Sequence, residues 1–162
     1  MRYTADVKQR EKARETMTLT TGDSHRQNSG HRPSKIEILI VDDKGQVRRD
    51  LRTALELMEG LEVVGEAADG LEAVHQAEKL GPDVVLMDLE MPRMDGFEAT
   101  RQIKDRCLAK GVVALTVYGD DSARSRADKA GADAFVEKGT SLQTLSEVIQ
   151  QVWSEVSSPG SH

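Results

Sequence analysis

After residue 35 the chain exchanges two hydrophobic periods in strict turn, and this alternation constrains its fold more than any other feature. The first run, Ile36–Val41 (IEILIV), is almost wholly apolar and β-branched. Such a run fits a strand covered on both faces, as in a parallel sheet held between helical layers. Residues 47–58 then place Val47, Leu51, Ala54, Leu55 and Met58 on one helical face, with Gly60 as the expected stop. LEVVGEA (61–67) reads as a second strand. Gly70 opens a helix with Leu71, Val74, Ala77 and Leu80 on one side, ended by Gly81-Pro82. VVLM (84–87) is the third strand, followed by a helix from about Phe97 to Arg106 and by VVALTV (112–117) as the fourth strand. A weaker helix over Asp121–Ala130 fills its inward positions mainly with alanines, and Gly131 ends it. AFVEK (134–138) is the fifth strand, and the last helix, after Ser141, aligns Leu142, Leu145, Val148, Ile149 and Val152.

Five strands alternating with five helices over about 120 residues predict an α/β domain: a doubly wound, five-stranded parallel sheet with helices on both faces. In such sheets functional groups collect beyond the carboxyl ends of the strands, where the strand order switches direction. Residues 1–34 are polar and mixed in charge, and are expected to form a disordered tail, since they lack the apolar surface that would offset ordering entropy. The domain is expected to occupy 35–154, with a flexible end over 155–162. Met1 and Met17 are both candidate starts.

Charge and cysteine content narrow the function classes. The formal net charge is −6; the first 34 residues hold seven Lys/Arg against four Asp/Glu, so that tail is +3 and the remainder −9. An acidic domain with only 3% aromatic residues is a poor binder of nucleic-acid backbone or bases, so no direct nucleic-acid contact is expected. Cys107 is the only cysteine, which precludes an internal disulfide and suits a reducing cytoplasm. No apolar run approaches membrane-spanning length, and the N-terminal stretch has no apolar signal-peptide core, so a cytoplasmic protein without membrane contact is expected.

The strand ends carry the chemistry. Strand one ends in Asp42-Asp43, strand three in Asp88, strand four in Thr116 and strand five in Lys138. Singly, each has an ordinary explanation: an aspartate after a strand caps a helix, a threonine favours strands, a lysine faces solvent. Jointly, three carboxylates, a hydroxyl and an amine meet at one mouth. Clustered carboxylates repel, and at least one has its pKa raised unless a cation intervenes. A hard divalent ion such as Mg²⁺ (or Mn²⁺) suits few protein oxygens completed by water and phosphate. A carboxylate so held can act as a nucleophile towards phosphorus. Asp88 is the central candidate, because the third strand should lie mid-sheet. Asp95 before Gly96 reads as a turn or cap residue, and His75 as a surface residue of the second helix.

From Lys35 to Val152, ILIVDD, VVLMDLEMPRMDGFEAT, ALT and GADAFVEK follow one another in order. On these motifs the sequence closely resembles the receiver domain of two-component response regulators. The resemblance implies a CheY-like, flavodoxin-like fold with strand order 2-1-3-4-5. It implies that Asp88 is the phosphoacceptor, charged from a phosphohistidine on a sensor histidine kinase or a histidine phosphotransfer protein. Asp43, Asp88 and the main-chain carbonyl of Glu90 would bind Mg²⁺, with Asp42 acting mostly through a water. Lys138 would pair with the phosphoryl group and Thr116 hydrogen-bond to it, and Phe135 would be the aromatic switch that turns inward as the threonine moves. Glu90 and Tyr118 stand at positions that tune phosphoryl lifetime. The surface of the fourth helix, fifth strand and fifth helix would rearrange for a downstream protein target or a homodimer, and the polar fourth helix is expected to be loosely held.

Two residues depart from the family pattern. Val117 is larger than the usual residue after the threonine and is expected to narrow access to the phosphoryl site, and Gly139 replaces the usual proline after the lysine. With VEKGTSLQTLSEVIQQV, both are similar to NarL-type receivers, although no output domain is expected in the residues after the last helix. Such a domain would not be an enzyme beyond its own phosphorylation and dephosphorylation. A haloacid-dehalogenase-like aspartyl phosphatase is an alternative, but it needs a second aspartate where Glu90 stands. A nucleotide- or flavin-binding module lacks its glycine motif in VDDKGQ. A degenerate receiver serving only for docking sits poorly with the intact acidic set.

Overall fold

The structure, a computed structural model, describes residues 34–158. The expected tail therefore lies outside the described residues except for Ser34, as do the last four residues. Five parallel strands, β1 (Ile36–Val41), β2 (Leu61–Ala67), β3 (Val84–Asp88), β4 (Gly111–Thr116) and β5 (Ala134–Glu137), form one sheet in the order β2-β1-β3-β4-β5. Helices α1 (Gly45–Glu56), α2 (Gly70–Leu80), α3 (Gly96–Asp105), α4 (Asp121–Ala130) and α5 (Leu142–Val156) supply the connections and the last layer.

Side-chain alternation sends each strand's apolar residues to two cores. Ile38, Ile40, Val84, Leu86 and Val113 pack with Leu55 of α1 and with Leu145, Ile149 and Val152 of α5. Leu39, Val41, Val85, Met87 and Val112 pack instead with α2 and α3 through Ala73, Val74, Ala77, Ala99 and Ile103. Every residue of β3 and β4 is buried: the apolar runs VVLM and VVAL need cover on both faces, and the polar Asp88 and Thr116 are buried at the strand ends. A third, smaller cluster under α4 joins Leu89, Ala114 and Ala127, flanked by Phe97 and Phe135.

The helices differ from expectation in three places. α1 stops at Glu56 rather than running to Met58; Leu57 and Met58 donate to the carbonyls of Ala54 and Leu55 in a tightened last turn, and Gly60 (φ +85°) then carries the chain into β2. In α2 the buried stripe is Gly70, Ala73, Val74 and Ala77, while Leu71 is half exposed. The cause is a close crossing: the Gly70 amide donates to the Met94 carbonyl at 3.0 Å, and a Cβ on Gly70 would strike that oxygen. Small residues therefore face inward and the leucine does not. α5 continues to Val156, two residues past the expected domain end, with the Ser157 amide donating to the Trp153 carbonyl at 3.0 Å. The strands also end slightly earlier, at Thr116 and Glu137, so Val117 and Lys138 lie just beyond them.

Candidate functional site

Register alone brings the acidic residues together. Val41 of β1 lies opposite Met87 of β3, which sets Asp42 beside Asp88 where the chain reverses its direction of travel across the sheet. On the other side Asp88 lies opposite Leu115, and Thr116 opposite Glu137, so Thr116 and Lys138 each follow one residue beyond their strand partners. Gly96 lets the β3–α3 loop close tightly, since a Cβ there would strike the Asp88 carbonyl oxygen. Asp95 caps α3 by accepting from the Glu98 amide at 2.9 Å, the cap role expected of it.

Asp42, Asp43 and Asp88 each offer an oxygen, all within 4.8 Å of one another. Lys138 Nζ donates to Asp42 Oδ2 at 2.7 Å and pairs with Asp88 Oδ1 at 3.2 Å. The Glu90 amide donates to the same Asp88 oxygen at 3.2 Å, and the Lys44 amide to Asp42 Oδ1 at 2.8 Å. Asp43 Oδ1 and Asp88 Oδ2 are buried and accept no hydrogen bond. Burial raises the Asp88 carboxyl to about 6, with Asp42 adding repulsion and Lys138 opposing it. Burial alone would lower Lys138; its hydrogen bond to Asp42 and the charge of Asp88 outweigh that, and its pKa is raised. The site is thus an acidic mouth bridged by Lys138, with Lys44 Nζ 3.8 Å from Asp43 Oδ1 and two buried carboxylate oxygens that accept no hydrogen bond.

Two expected roles look different in the folded chain. Thr116 is fully buried, but its hydroxyl donates to Glu90 Oε2 at 2.6 Å and accepts from the Tyr118 amide at 3.1 Å. The Glu90 side chain, which the sequence assigned to tuning, is therefore the partner of the threonine. Phe135 is half-buried, with the Arg124 guanidinium over its ring at 4.6 Å. Val117 and Tyr118 are 57% and 72% exposed at the start of the loop after β4, so Val117 presents a solvent-facing side chain. His75 is exposed on α2.

Sequence reading missed Arg48, whose Nη1 donates to the Asp42 carbonyl at 2.7 Å and whose Nε pairs with Glu66 at 3.1 Å. With Arg52 on the other Glu66 oxygen at 2.6 Å, it ties α1 to β2 beneath the mouth. Hydrogen bonding to Arg52, ahead of the opposing effect of burial and the contribution of Arg48, lowers the Glu66 pKa. A signal existed: an arginine in the first turn of a helix opposes the helix dipole, so it needs an acceptor nearby.

An open parallel sheet whose switch point holds three carboxylates and a lysine defines a class of α/β protein suited to a divalent cation and a phosphoryl group. The chain belongs to the response regulator receiver domain family, whose sequence profile matches residues 38–150. It is 47% identical over 106 residues to a protein-glutamate methylesterase/protein-glutamine glutaminase of Alkalilimnicola ehrlichii, covering 64% of this chain and 27% of that protein. It is 38% identical over 122 residues to the response regulator protein VraR of Staphylococcus saprophyticus, covering 75% of this chain and 58% of VraR. The chain thus spans about a quarter to three fifths of the length of these curated relatives. Among solved structures, the response regulator domain of Thermotoga maritima CheB superposes with a TM-score of 0.69 at 32% identity, over 74% of this chain and 96% of that one. The receiver domain of the response regulator NarL from Mycobacterium tuberculosis gives 0.71 at 26% identity, over 75% and 98%. The expected CheY-like fold and strand order are those observed. Receiver domains bind Mg²⁺ at an acidic pocket of this kind and interact with histidine kinases. No helix among the described residues is long and apolar enough to cross a membrane.

Proposed function

We propose that Asp88 is the phosphoacceptor, taking a phosphoryl group from a phosphohistidine of a sensor histidine kinase or histidine phosphotransfer protein. The observation that carries this reading is the division of labour on one carboxylate. Asp88 Oδ1 is held by Lys138 and the Glu90 amide, while Oδ2 is buried and has no partner. That free oxygen attacks phosphorus, the P–N bond breaks, and the imidazole leaves with the electron pair, so an acyl phosphate forms on Asp88. Lys138 balances charge on the incoming phosphoryl oxygens, and Thr116 donates to one of them after leaving Glu90.

The donor set fits a divalent cation: hard oxygens only, with Asp43 Oδ1 buried and accepting no hydrogen bond. Asp43, Asp88 and the Glu90 carbonyl would hold Mg²⁺ (or Mn²⁺), and Asp42 would act through water because Lys138 and the Lys44 amide already occupy both its oxygens. When bound, the ion lowers the repulsion between the carboxylates and the phosphoryl group. Phosphorylation adds nearly two negative charges and new contacts for Thr116 and Lys138, and so favours a changed α4-β5-α5 surface, with Phe135 turning inward. That surface meets a downstream protein or a second copy. Glu90, which accepts from the threonine, sets the lifetime of the phosphoryl group together with Val117 and Tyr118, exposed at the start of the loop after β4. The setting is the cytoplasm, where such kinases present their phosphohistidine.

Labelling with acetyl phosphate tests this directly. Label is expected on the wild type with Mg²⁺, lost on chelation and in Asp88→Asn; an unlabelled wild type, or a labelled Asn variant, overturns it.

A further inference from the structure

α4 is an unusual element in this fold because almost nothing apolar holds it. Its buried residues are Ala127 and Ala130 alone. What reaches beyond the alanine face are two exposed arginines, each laid on one of the two phenylalanines of the chain. Arg124 Cζ lies 4.6 Å from the centroid of Phe135 in β5, and Arg126 Cζ lies 3.8 Å from that of Phe97 in α3. At 100° per residue these arginines fall on either side of Ala127, so the helix is straddled by two cation–π contacts. None of Asp42, Asp43, Asp88, Thr116 and Lys138 takes part in either contact.

The two rings are not equivalent. Phe135 lies opposite Ala114 of β4, and Ala114 shares a strand face with Thr116 two residues on. The small cluster it packs against also holds Leu89, which follows Asp88, and Ala127, with Phe97 and Ala132 at its margin. The methyl groups of Ala114 and Ala127 leave this ring with small neighbours, and Arg124 covers it. Phe97 sits on α3, under Arg126; it flanks the same small cluster but, being on a helix, has no register partner in β4.

We propose that Arg124 is a positioning residue of the switch: its guanidinium holds the Phe135 ring outward in the unphosphorylated chain and so sets how readily the threonine side of the site rearranges. The ring turns inward only by giving up this contact, and Arg124 is then freed at the α4–β5 surface as the phosphoryl group arrives. Arg126 makes the same kind of contact on the same helix but with Phe97, which has no strand pairing to β4, and so separates a specific hold on Phe135 from a general loosening of α4. The proposal rests on the phosphoacceptor reading.

With only two phenylalanines, 4-fluorophenylalanine labelling of the full chain gives two ¹⁹F resonances, assigned with Phe97→Leu. In Arg124→Met, the Phe135 resonance of the unphosphorylated protein should move part of the way towards its position after Mg²⁺ and acetyl phosphate. An exposed cation–π contact corresponds to about a two- to five-fold rise in the inward-to-outward ratio, at about 1.4 kcal/mol per tenfold. The rate of Asp88 labelling should rise by a similar factor. Arg124→Lys, which keeps a cation over the ring, should restore most of the wild-type behaviour. Arg126→Met should shift the Phe97 resonance and leave the labelling rate unchanged. A Phe135 resonance and labelling rate in Arg124→Met that match the wild type overturn the proposal, as does Arg126→Met reproducing the Arg124→Met effect. A wild type that takes no label brings down the phosphoacceptor reading itself, whereas a labelled chain indifferent to Arg124 brings down only this inference.

Discussion

Replacing Glu90 by alanine should make the chain easier to switch, and the reason lies in a single proton. Thr116 has one hydroxyl hydrogen, and in the unphosphorylated chain it goes to Glu90 Oε2 at 2.6 Å. To donate to a phosphoryl oxygen on Asp88, the threonine must give that bond up. A hydrogen bond to a charged acceptor contributes about 1.5–3 kcal/mol. Here the lower end applies, because Glu90 is exposed and water competes for its carboxylate. The Tyr118 carbonyl, 3.2 Å from the hydroxyl, is a ready substitute acceptor and reduces the difference further. A net change of about 1 kcal/mol remains, roughly a five-fold gain in affinity for a phosphoryl mimic. Beryllofluoride with Mg²⁺, titrated by calorimetry against wild type, Glu90→Ala and Glu90→Gln, measures it. Gln keeps a neutral acceptor at the same reach, so the expected order of affinity is Ala above Gln above wild type. If Gln matched Ala, removal of a negative charge near the phosphoryl group would explain the gain without any hydrogen bond. Unchanged or weaker binding by Glu90→Ala, at an unaltered melting temperature, would refute the latch outright.

Asp88 carries a second prediction through its pKa. A carboxyl raised from 3.8 to about 6 binds its proton more tightly folded than unfolded, so the protein gains stability as pH falls through that window and loses it as pH rises to 7. Without divalent cation, Asp88→Asn should therefore be more stable than wild type at pH 7 by on the order of 2–3 kcal/mol, the difference vanishing below about pH 4; equal denaturation midpoints at both pH values would contradict it. Gly96→Ala forces a methyl into the Asp88 carbonyl and must displace either the end of β3 or the start of α3. It should cost about 1–3 kcal/mol in chemical denaturation and depress labelling, and a fully labelled, undestabilised variant would show the loop to be looser than its geometry.

The fold was legible because burial and periodicity agree along nearly the whole chain. IEILIV, VVLM and VVAL have no polar face, and only a central parallel sheet covers both sides of three such strands. The strand-end aspartates and Lys138 followed from topology, since a parallel sheet delivers every carboxyl end to one edge. Periodicity placed Val74 and Ala77 correctly but failed at Leu71, which is apolar and half exposed because the buried stripe is turned towards Gly70 and Ala73, where α2 passes close to Met94.

What the sequence could not express is which polar partner each side chain takes. Glu90 looked like a residue acting through its main chain, since its position two after Asp88 says nothing of a threonine 26 residues on. The same holds for the Arg124–Phe135 contact, where spacing of 11 residues across a loop carries no signal. On the proposed reading both contacts hold the unphosphorylated chain: one would keep the Thr116 hydroxyl from the mouth, the other would keep the Phe135 ring from turning inward. Neither element has other strong attachments, because α4 buries only two alanines and Glu90 stands in a loop. A receiver held this way should switch in small, separable increments. Removing Glu90 and Arg124 together should then add nearly in free energy, unless ring and threonine move as one, in which case the double variant will fall short of the sum of the single ones.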